Sequence, residues 1–427
     1  MLQNSPATEA DEETPYLKAI HVNWGSVDTE GLPTMWASEK EMEIYSVKNG
    51  DLLVCEGGEA GRACILQGLE GQAIIQNALH RVRDTQRGSV RFLCYLLKHI
   101  SDAGWFSILC NKATIAHLTG EKISAIKMPV PTMNEQQQIS DFLEWKTGQI
   151  DSLIAKKKEL IEKLKEKRIV LITQAVSKGL NPDAPMRDSG IPWLGEVPKH
   201  WEVRRLKFSC DITCGFAFSS DDFSIEGIPL IRISDIKSTG HVSLEAVKYL
   251  PNDYGIKYKP FLIQKSDITM AMTGATIGKA AIYSDENPAL LNQRCCVFRA
   301  HAIENQRFLW FVLNSEFYNE HVKLIGFGGA QPNISDVQLL DCFSPHPPSN
   351  EQQQIADFLN QNTKQTDVLI AKNEQLIEKL TEYRTALITA AVTGKIDVRN
   401  VKIGERMENT NGMSLDELEN KHVEIIG

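Results

Sequence analysis

The sequence predicts an α+β protein in which two α/β modules are separated by two long antiparallel helices that pack like a coiled coil. The first observation is a repeat, because the 42 residues from Glu135 recur from Glu351 with 27 identities and no gap. The second is that strand-like and helix-like patterns precede each copy. The number of positions from Glu135 to Glu351 is called the repeat offset below. It is far too long for the repeat of a solenoid, so we infer that one whole domain and its helix are duplicated.

Each repeated segment predicts one long helix. Both lack proline and are rich in Leu, Ile, Glu, Lys and Gln, which favour helix. Apolar residues of the first copy recur at helical spacing: Ile139, Leu143, Ile150, Ile154, Ile161, Leu164, Leu171 and Ala175. Asn134 and Asn350 are the predicted N-caps, and Gly179 and Gly394 follow the predicted ends. A stripe this long needs a partner of similar length, which the second copy supplies.

Strand and helix patterns upstream of the helices define the two modules. The strand candidates are Pro229–Ile236, Phe261–Met272, Lys279–Tyr283 and Leu291–Arg299, and the helix candidates are Val90–Ser101 and Gln306–Lys323. The predicted divisions are residues 1–134 for module 1, 135–178 for the first long helix, 179–350 for a linker and module 2, 351–394 for the second long helix, and 395–427 for an acidic tail.

The charge balance restricts the class of protein. The formal net charge is −9. Pro15–Asn134 contains twelve basic and twelve acidic residues, and Gly190–Asn350 contains fifteen and seventeen. Nucleic-acid-binding proteins usually carry a basic footprint. The balance therefore argues against a solitary, tight, non-specific DNA-binding protein, and it requires local clustering of basic residues or partners that share the DNA.

The sequence also predicts a cytoplasmic protein with reduced thiols. It has no run of eighteen apolar residues, and its polar, acidic start lacks the pattern of a secretory signal. Its nine cysteines are an odd number, and none forms a CxxC pair. Small buried apolar residues are the expected role of these cysteines, and no metal site is predicted.

Three features together resemble the specificity subunits of type I restriction–modification systems. They are the segment Arg187–Phe208 (RDSGIPWLGEVPKHWEVRRLKF), the loop Thr273–Ala280 (TGATIGKA), and the paired helices that begin with NEQQQI. The resemblance extends from about Pro15 to Asp397. It implies that each module is a target-recognition domain that reads one half of a bipartite DNA site, with the helices setting the separation of the halves.

The resemblance also implies the partners and the absence of catalysis. The expected partners are double-stranded DNA, two methyltransferase subunits docked on the long helices, and restriction subunits that act as motor and nuclease. No cofactor is expected on this chain. The partners are expected to use S-adenosylmethionine, ATP and magnesium.

Module 1 departs from this pattern. Module 2 begins with a lead-in segment, Gly190–Gly227, that has no counterpart before Pro15, so we expect module 1 to lack a segment of this length. Three explanations remain open: a truncated module, a module completed by another chain, or a misassigned start. An alternative function follows, in which the chain is a structural scaffold with only one competent DNA-reading module.

Candidate DNA-binding residues lie in the paired loops. Side chains such as Arg, Lys, Asn and Gln can form hydrogen bonds with the edges of DNA bases. In module 1 they are Glu59, Arg62, Gln76, Asn77, His80 and Arg81. In module 2 they are Thr273, Gly274, Thr276, Lys279, Asn292, Gln293, Arg294, Gln331 and Asn333. The loop glycines either allow close approach to phosphate or only shape β-turns.

Catalytic motifs are absent from the sequence. The stretch GATIGKA resembles a phosphate-binding loop, but it has three residues where that loop needs four, and Ala280 stands where Ser or Thr is required. There is no HExxH or GxSxG motif and no NPPY-like methyltransferase tetrapeptide. The sequence therefore predicts a recognition protein that catalyses no reaction.

Overall fold

The structure is a computed structural model that describes residues 5–109, 117–237, 239–301, 305–326, 333–399 and 401. The chain forms two compact units. Unit 1 consists of Met1–Lys158 and Asn373–Gly427, and unit 2 is Glu159–Lys372. Each unit therefore contains one of the predicted modules together with a part of each long helix.

Unit 1 contains a three-stranded and a four-stranded sheet. The strands are β1 (Glu12–Leu17), β2 (Val22–Asn23), β3 (Ser26–Val27), β4 (Thr34–Ala37), β5 (Ser46–Val47), β6 (Leu52–Cys55), β7 (Ala63–Ile65), β8 (Ala73–Ile75) and β9 (Leu79–Val82). The helices are α1 (Glu39–Tyr45), α2 (Val90–Asp102), α3 (Trp105–Leu109), α4 (Gly120–Ala125) and the start of α5 (Met133–Lys178). The sheet orders are β7-β6-β9 and β4-β1-β8-β5, and β2 pairs with β3.

Unit 2 repeats this plan and adds strands. They are β10 (Met186–Asp188), β11 (Glu196–Pro198), β12 (Glu202–Arg205), β13 (Cys210–Cys214), β14 (Ile228–Ile231), β15 (Lys248–Leu250), β16 (Leu262–Ile263), β17 (Ile268–Ala271), β18 (Ala280–Ile282), β19 (Ala289–Leu291), β20 (Cys295–Ala300) and β21 (Phe343–His346). The helices are α6 (Tyr254–Lys257), α7 (Gln306–Leu313), α8 (Glu316–Ile325), α9 (Asp336–Leu340) and the start of α10 (Ser349–Val392). The sheet orders are β13-β20-β17-β18 and β15-β14-β19-β16, with the pairs β10-β11 and β12-β21.

These elements confirm the predicted fold class and correct some local predictions. The strand predicted over Phe261–Met272 is two strands, because Ser266 has a φ of 75° and turns the chain between them. The helix predicted over Gln306–Lys323 is broken at Asn314, because the Ser315 hydroxyl caps a new helix by accepting a hydrogen bond from the Tyr318 N–H. Helix α2 confirms the prediction over Val90–Ser101.

The two long helices start earlier than predicted. Asn134 is not the N-cap of α5, because Thr132 and Glu135 form a capping box in which the Glu135 carboxylate accepts from the Thr132 N–H at 3.0 Å. Asn350 also lies inside α10, whose first turn closes on the Pro348 carbonyl. Gly179 and Gly394 have φ of 76° and 72°, so both adopt the left-handed conformation expected of a helix C-cap glycine.

Within each unit the parts of α5 and α10 run antiparallel. In unit 1, Arg384 pairs with Asp151 at 2.9 Å, and Ile139, Leu143 and Ile150 share a core with residues near the end of α10. In unit 2, Arg168 pairs with Asp367 at 3.0 Å. Arg384 and Asp367 lie one repeat offset after Arg168 and Asp151, so the two ion pairs are copies of each other.

A second pair of duplicated contacts fixes the sheets. In unit 1, the Arg83 guanidinium donates to both carboxylate oxygens of Asp51 at 2.6 and 2.8 Å. In unit 2, Arg299 makes the same contact with Asp267 at 3.0 and 2.6 Å. Asp51 is 1% exposed and also accepts from the Lys48 N–H at 3.0 Å. The duplication seen in sequence therefore extends to individual hydrogen bonds of the diverged modules.

We expect Asp51→Asn to lower the free energy of unfolding of unit 1 by about 2–3 kcal/mol at neutral pH, because the buried Asp51 carboxylate loses its charge-assisted hydrogen bonds from the half-exposed Arg83. Burial raises the pKa of Asp51, but hydrogen bonds from Arg83 and Lys48 outweigh it, so the pKa lies below its ordinary value of 3.8. The ion-pair stabilisation is thus present above pH 3.8 and is lost as the pH falls through the depressed folded-state pKa. Urea unfolding at several pH values measures this difference.

The control is the exposed Asp28→Asn, which we expect to change the stability by less than about 0.5 kcal/mol. A deficit for Asp51→Asn that stayed constant from neutral pH to below its folded pKa would contradict the role of the charge.

Candidate nucleic-acid interface

The predicted loops of module 2 meet at one end of the sheet that contains β17 and β20. The Met272 N–H donates to the Arg294 carbonyl at 2.9 Å, and the Ile334 N–H donates to the Met272 carbonyl at 3.1 Å. Thr273 and Asn333 form a β-bridge. Surface 2, defined as Thr273–Lys279, Asn292–Arg294 and Asn333, is therefore one continuous site.

Side chains of surface 2 differ in their freedom to contact a ligand. Lys279, Gln293, Arg294 and Asn333 are exposed. Asn292 is partly buried, and its side-chain oxygen accepts from the Arg294 N–H at 3.4 Å, so it shapes the turn. The described surface thus offers two cations and two amides to solvent. The predicted residue Gln331 lies outside the described residues.

The rest of the Thr273–Lys279 loop has mainly a conformational role. The Thr273 hydroxyl is buried, and the Thr276 hydroxyl donates to the Thr273 carbonyl at 3.4 Å. Gly274 has a φ of 71° and Gly278 a φ of 78°, which favour glycine. A Cβ at Gly278 would also lie 2.6 Å from the Val322 side chain, so a larger residue there requires Val322 or the loop to shift.

Module 1 places its loops at the same end of the corresponding sheet. The Glu56 N–H donates to the Ala78 carbonyl at 2.9 Å, and the Leu118 N–H donates to the Glu56 carbonyl at 2.7 Å. The residues that form these two hydrogen bonds precede, by one repeat offset, the residues whose hydrogen bonds hold surface 2 together. Surface 1, defined as Gly57–Arg62, Gln76–Ala78 and His117, is the counterpart of surface 2.

Several predicted residues of module 1 are held by contacts within the module. Glu59 accepts from the Trp24 indole at 3.0 Å and from Arg62 at 3.3 Å, while Arg62 also donates to the Ala19 carbonyl at 2.9 Å. Two strand residues complete this group: His80 contacts the Leu118 carbonyl at 2.8 Å, and Arg81 donates to the Ser46 carbonyl. Asn77 is exposed and Gln76 is partly exposed, so the side-chain amides of both residues are accessible at surface 1.

Two features of the surfaces were not predicted from sequence. The first is His117, which is exposed and lies 3.8 Å from the Glu56 carboxylate. It stands one repeat offset before Asn333, so the repeat itself could have identified it. Surface 1 therefore presents an imidazole where surface 2 presents an amide, which is a difference that a base edge can sense.

The second is an aromatic cluster beside surface 2. It consists of Phe216, Phe218, Tyr254, Tyr258 and Phe261, with ring centroids 4.8–5.2 Å apart around Phe216. The Gln293 N–H donates to the Phe216 carbonyl at 2.9 Å, which joins the cluster to the surface. The signal in the sequence was the close spacing of aromatic residues in GFAF and YGIKYKPF.

Lys257 adds a positive charge to this cluster. Its ammonium lies 5.1 Å from the ring centroid of Tyr258 and 5.3 Å from that of Tyr254. A hydrogen bond with the Tyr258 side chain raises the pKa of Lys257. Phe216 is 36% exposed, so an apolar ring and a cation lie together beside the exposed side chains of surface 2.

The chemistry near surface 2 does not favour nucleophilic catalysis. Burial raises the pKa of the Cys295 thiol to about 12 and that of Cys296 well above its ordinary value. Thiols in this state are poor nucleophiles. Across the described ranges, no three His, Cys, Asp or Glu side chains are grouped so as to hold a metal ion. None of the described helices is long and apolar enough to cross a membrane.

Comparisons with known sequences converge on one family. The family model described as the type I restriction modification DNA specificity domain matches residues 15–166 and 198–379. The type I restriction enzyme MjaVIII specificity subunit of Methanocaldococcus jannaschii is 29% identical over 407 residues, covering 93% of this chain and 90% of that subunit. The EcoBI specificity subunit of Escherichia coli is 33% identical over 212 residues, covering 49% of this chain and 42% of that subunit.

Solved structures show the same fold. A chain from a structure concerned with complex assembly and conformational transition of the type I R-M system has a TM-score of 0.70 at 15% identity, covering 92% of this chain and 95% of that chain. The HsdS subunit from Thermoanaerobacter tengcongensis has a TM-score of 0.50 at 16% identity, covering 91% of this chain and 92% of that subunit.

Proposed function

Because this chain belongs to the type I restriction–modification DNA specificity family and is a specificity subunit with two such domains, we propose that each of its modules reads one half of a bipartite DNA target. The observation that carries the proposal is the pair of surfaces. The same hydrogen bonds hold equivalent loops at equivalent sheet ends, yet the side chains that the loops present differ. A common scaffold with different side chains suits two different half-sites.

Surface 2 reads its half-site mainly with Lys279, Gln293, Arg294 and Asn333. Arg and Lys match the acceptors of guanine, while Asn and Gln match adenine. The partly buried Thr273, Gly274, Thr276 and Asn292 hold the loops in place. Arg294 is the strongest candidate, because it is exposed at the centre of the turn and its side chain forms no ion pair within the described chain.

Surface 1 reads the other half-site mainly with Gln76, Asn77 and His117. The side chains of Glu59, Arg62, His80 and Arg81 are held by the hydrogen bonds within module 1 that are described above. Glu59 also keeps part of its carboxylate exposed, and a carboxylate can accept a hydrogen bond from cytosine. The family model matches both modules, which favours two readers over the alternative of a scaffold with one competent module.

The partner subunits supply phosphate contacts and catalytic activity. Neither module carries a basic excess, so the phosphate contacts that dominate affinity come largely from other subunits around the same DNA. The expected partners are two methyltransferase subunits, which dock on the long helices and use S-adenosylmethionine, and restriction subunits, which use ATP and magnesium. This chain contributes no catalytic group and selects the sequence on which its partners act.

Co-expression of this chain with its modification subunit tests the proposal, because sequencing then locates every methylated base. We expect one bipartite motif with a fixed gap. Asn77→Ala should relax the motif in one half, and Gln293→Ala should relax it in the other half. Methylation that is independent of this chain, or two variants that alter the same half, would contradict the assignment of one half-site to each module.

A further inference from the structure

The exposed ring of Phe216 belongs to a residue that is bonded directly to one turn of surface 2. The Phe216 N–H donates to the Leu291 carbonyl at 2.9 Å, and the Phe216 carbonyl accepts from the Gln293 N–H at 2.9 Å. Phe216 also forms a β-bridge with Asn292. The backbone of Phe216 is therefore fixed beside Gln293 and Arg294, whose side chains are exposed.

Gly215 allows this close approach. A Cβ at Gly215 would lie 2.2 Å from the Asn292 carbonyl oxygen and 2.4 Å from the Leu291 carbonyl oxygen. Both oxygens are backbone atoms, so a larger residue at position 215 requires the chain around Asn292 to move. The adjacent residues Gly215 and Phe216 thus hold an aromatic ring against surface 2.

Neighbouring rings determine how much of Phe216 a ligand can reach. Phe218, Tyr258 and Phe261 surround it with ring centroids 4.8–5.2 Å away, and they leave 36% of Phe216 exposed. A side chain enclosed in this way cannot insert between base pairs as a wedge does. A phenylalanine ring has no hydrogen-bonding atom, so it cannot read donors or acceptors on a base. It offers a rigid apolar patch that fits a small apolar group.

The major groove of DNA presents one such group, the C5 methyl of thymine. The charge beside the patch also favours DNA as the occupant. Lys257 and Lys259 are exposed on the segment that carries Tyr258, and the Lys257 ammonium lies 5.1 Å from the Tyr258 ring centroid. Cations at this place suit the phosphate backbone that accompanies a base.

We propose that Phe216 contacts the C5 methyl group of a thymine in the half-site that module 2 reads. The inference rests on the proposed function and adds to it a residue that selects a base without a hydrogen bond. The contact favours thymine over cytosine at one position, because cytosine has no C5 methyl group.

The sequence of module 1 lacks the residues that make this patch. Phe216 lies in the lead-in segment, which has no counterpart at the start of module 1. Met42 and Glu41 stand one repeat offset before Tyr258 and Lys257. We therefore expect a thymine methyl group to be recognised by an aromatic ring in only one half of the target.

Replacing single thymines of the target by deoxyuridine tests the proposal, because this removes one methyl group and leaves every hydrogen-bonding atom in place. The assembled complex is titrated at fixed ionic strength with DNA that is substituted at one thymine at a time. At one thymine of the module 2 half-site we expect Kd to rise about fourfold, the effect of burying one methyl group. The Phe216→Ala complex should bind the substituted and unsubstituted DNA equally at this position.

The matched control is Phe208→Ala in the same lead-in segment. Phe208 is 57% exposed and has the Lys207 ammonium 5.2 Å from its ring centroid, but it precedes β13, whereas Phe216 follows that strand. This variant should keep the full preference for thymine. A module 2 half-site in which no thymine methyl group affects binding, or a preference that persists in Phe216→Ala, would overturn the proposal.

Photochemical crosslinking of the unsubstituted chain decides the question even if Phe216→Ala does not fold. 5-Iodouracil carries iodine in place of the methyl group and crosslinks to aromatic side chains on irradiation. We expect the peptide that contains Phe216 to be crosslinked from the position that prefers thymine, as identified by mass spectrometry. Crosslinks only to other peptides would refute the contact. A complex that binds its bipartite target and ignores the methyl group rejects this inference alone, whereas the lack of a bipartite target rejects the proposed function.

Discussion

Replacing Trp201 by alanine is expected to lower the free energy of unfolding of unit 2 by about 4 kcal/mol, the largest effect that we predict for a single substitution. The Trp201 side chain is 1% exposed and belongs to a core that includes Val176 of α5 and Ile355 of α10. Its loss leaves a cavity and removes the indole donor of the Glu351 carboxylate. The lead-in segment would then lose one of its contacts with the core that α5 and α10 share within the unit.

Chemical denaturation followed by circular dichroism measures this loss, and hydrogen-exchange mass spectrometry assigns the transition to unit 2. The matched control is Trp193→Ala in the same segment, because Trp193 is 52% exposed. We expect the control to change the stability by less than about 0.5 kcal/mol. Similar losses in the two variants would show that the lead-in segment is not anchored through Trp201.

The second large effect is expected at Arg294. We expect Arg294→Ala to weaken binding of the assembled complex to its target DNA by about 1–3 kcal/mol, which is roughly fivefold to more than a hundredfold in Kd. Arg294 is exposed in surface 2, and the hydrogen bond from the Met272 N–H to its carbonyl fixes the position of its backbone. The substitution therefore removes a contact and leaves the turn in place.

The way in which Arg294→Ala weakens DNA binding identifies the kind of contact that Arg294 makes. A bidentate contact to guanine predicts relaxed specificity at one base pair, whereas a phosphate contact predicts uniform weakening and a smaller dependence on salt. Titrations at fixed ionic strength, with target and single-mismatch DNA, separate the two. The matched control is Arg307→Ala in the same unit, since Arg307 is 64% exposed and pairs with Asp357 on α10, away from surface 2. Normal binding by Arg294→Ala would exclude this residue as a reader.

The repeat in the sequence carries more information than the local patterns within each module. The repeat offset relates Arg83 to Arg299 and His117 to Asn333, so each known contact in one module predicts a contact in the other. The absence of a counterpart to the lead-in segment before Pro15 predicts a module 1 that is truncated, completed by another chain, or shortened by a misassigned start.

The sequence by itself determined the duplication, the two long helices and the family, because composition, periodicity and identity between copies are properties of order along the chain. Tertiary structure alone decided which predicted side chains are free to contact DNA. Arg62 and Arg81 looked equivalent to Arg294 in sequence, but carbonyls from residues 19 and 46 hold them in place. The aromatic cluster likewise joins residues 216 and 261. Hydrogen-bond partners and ring contacts come from distant parts of the chain, and local patterns do not specify which distant groups meet.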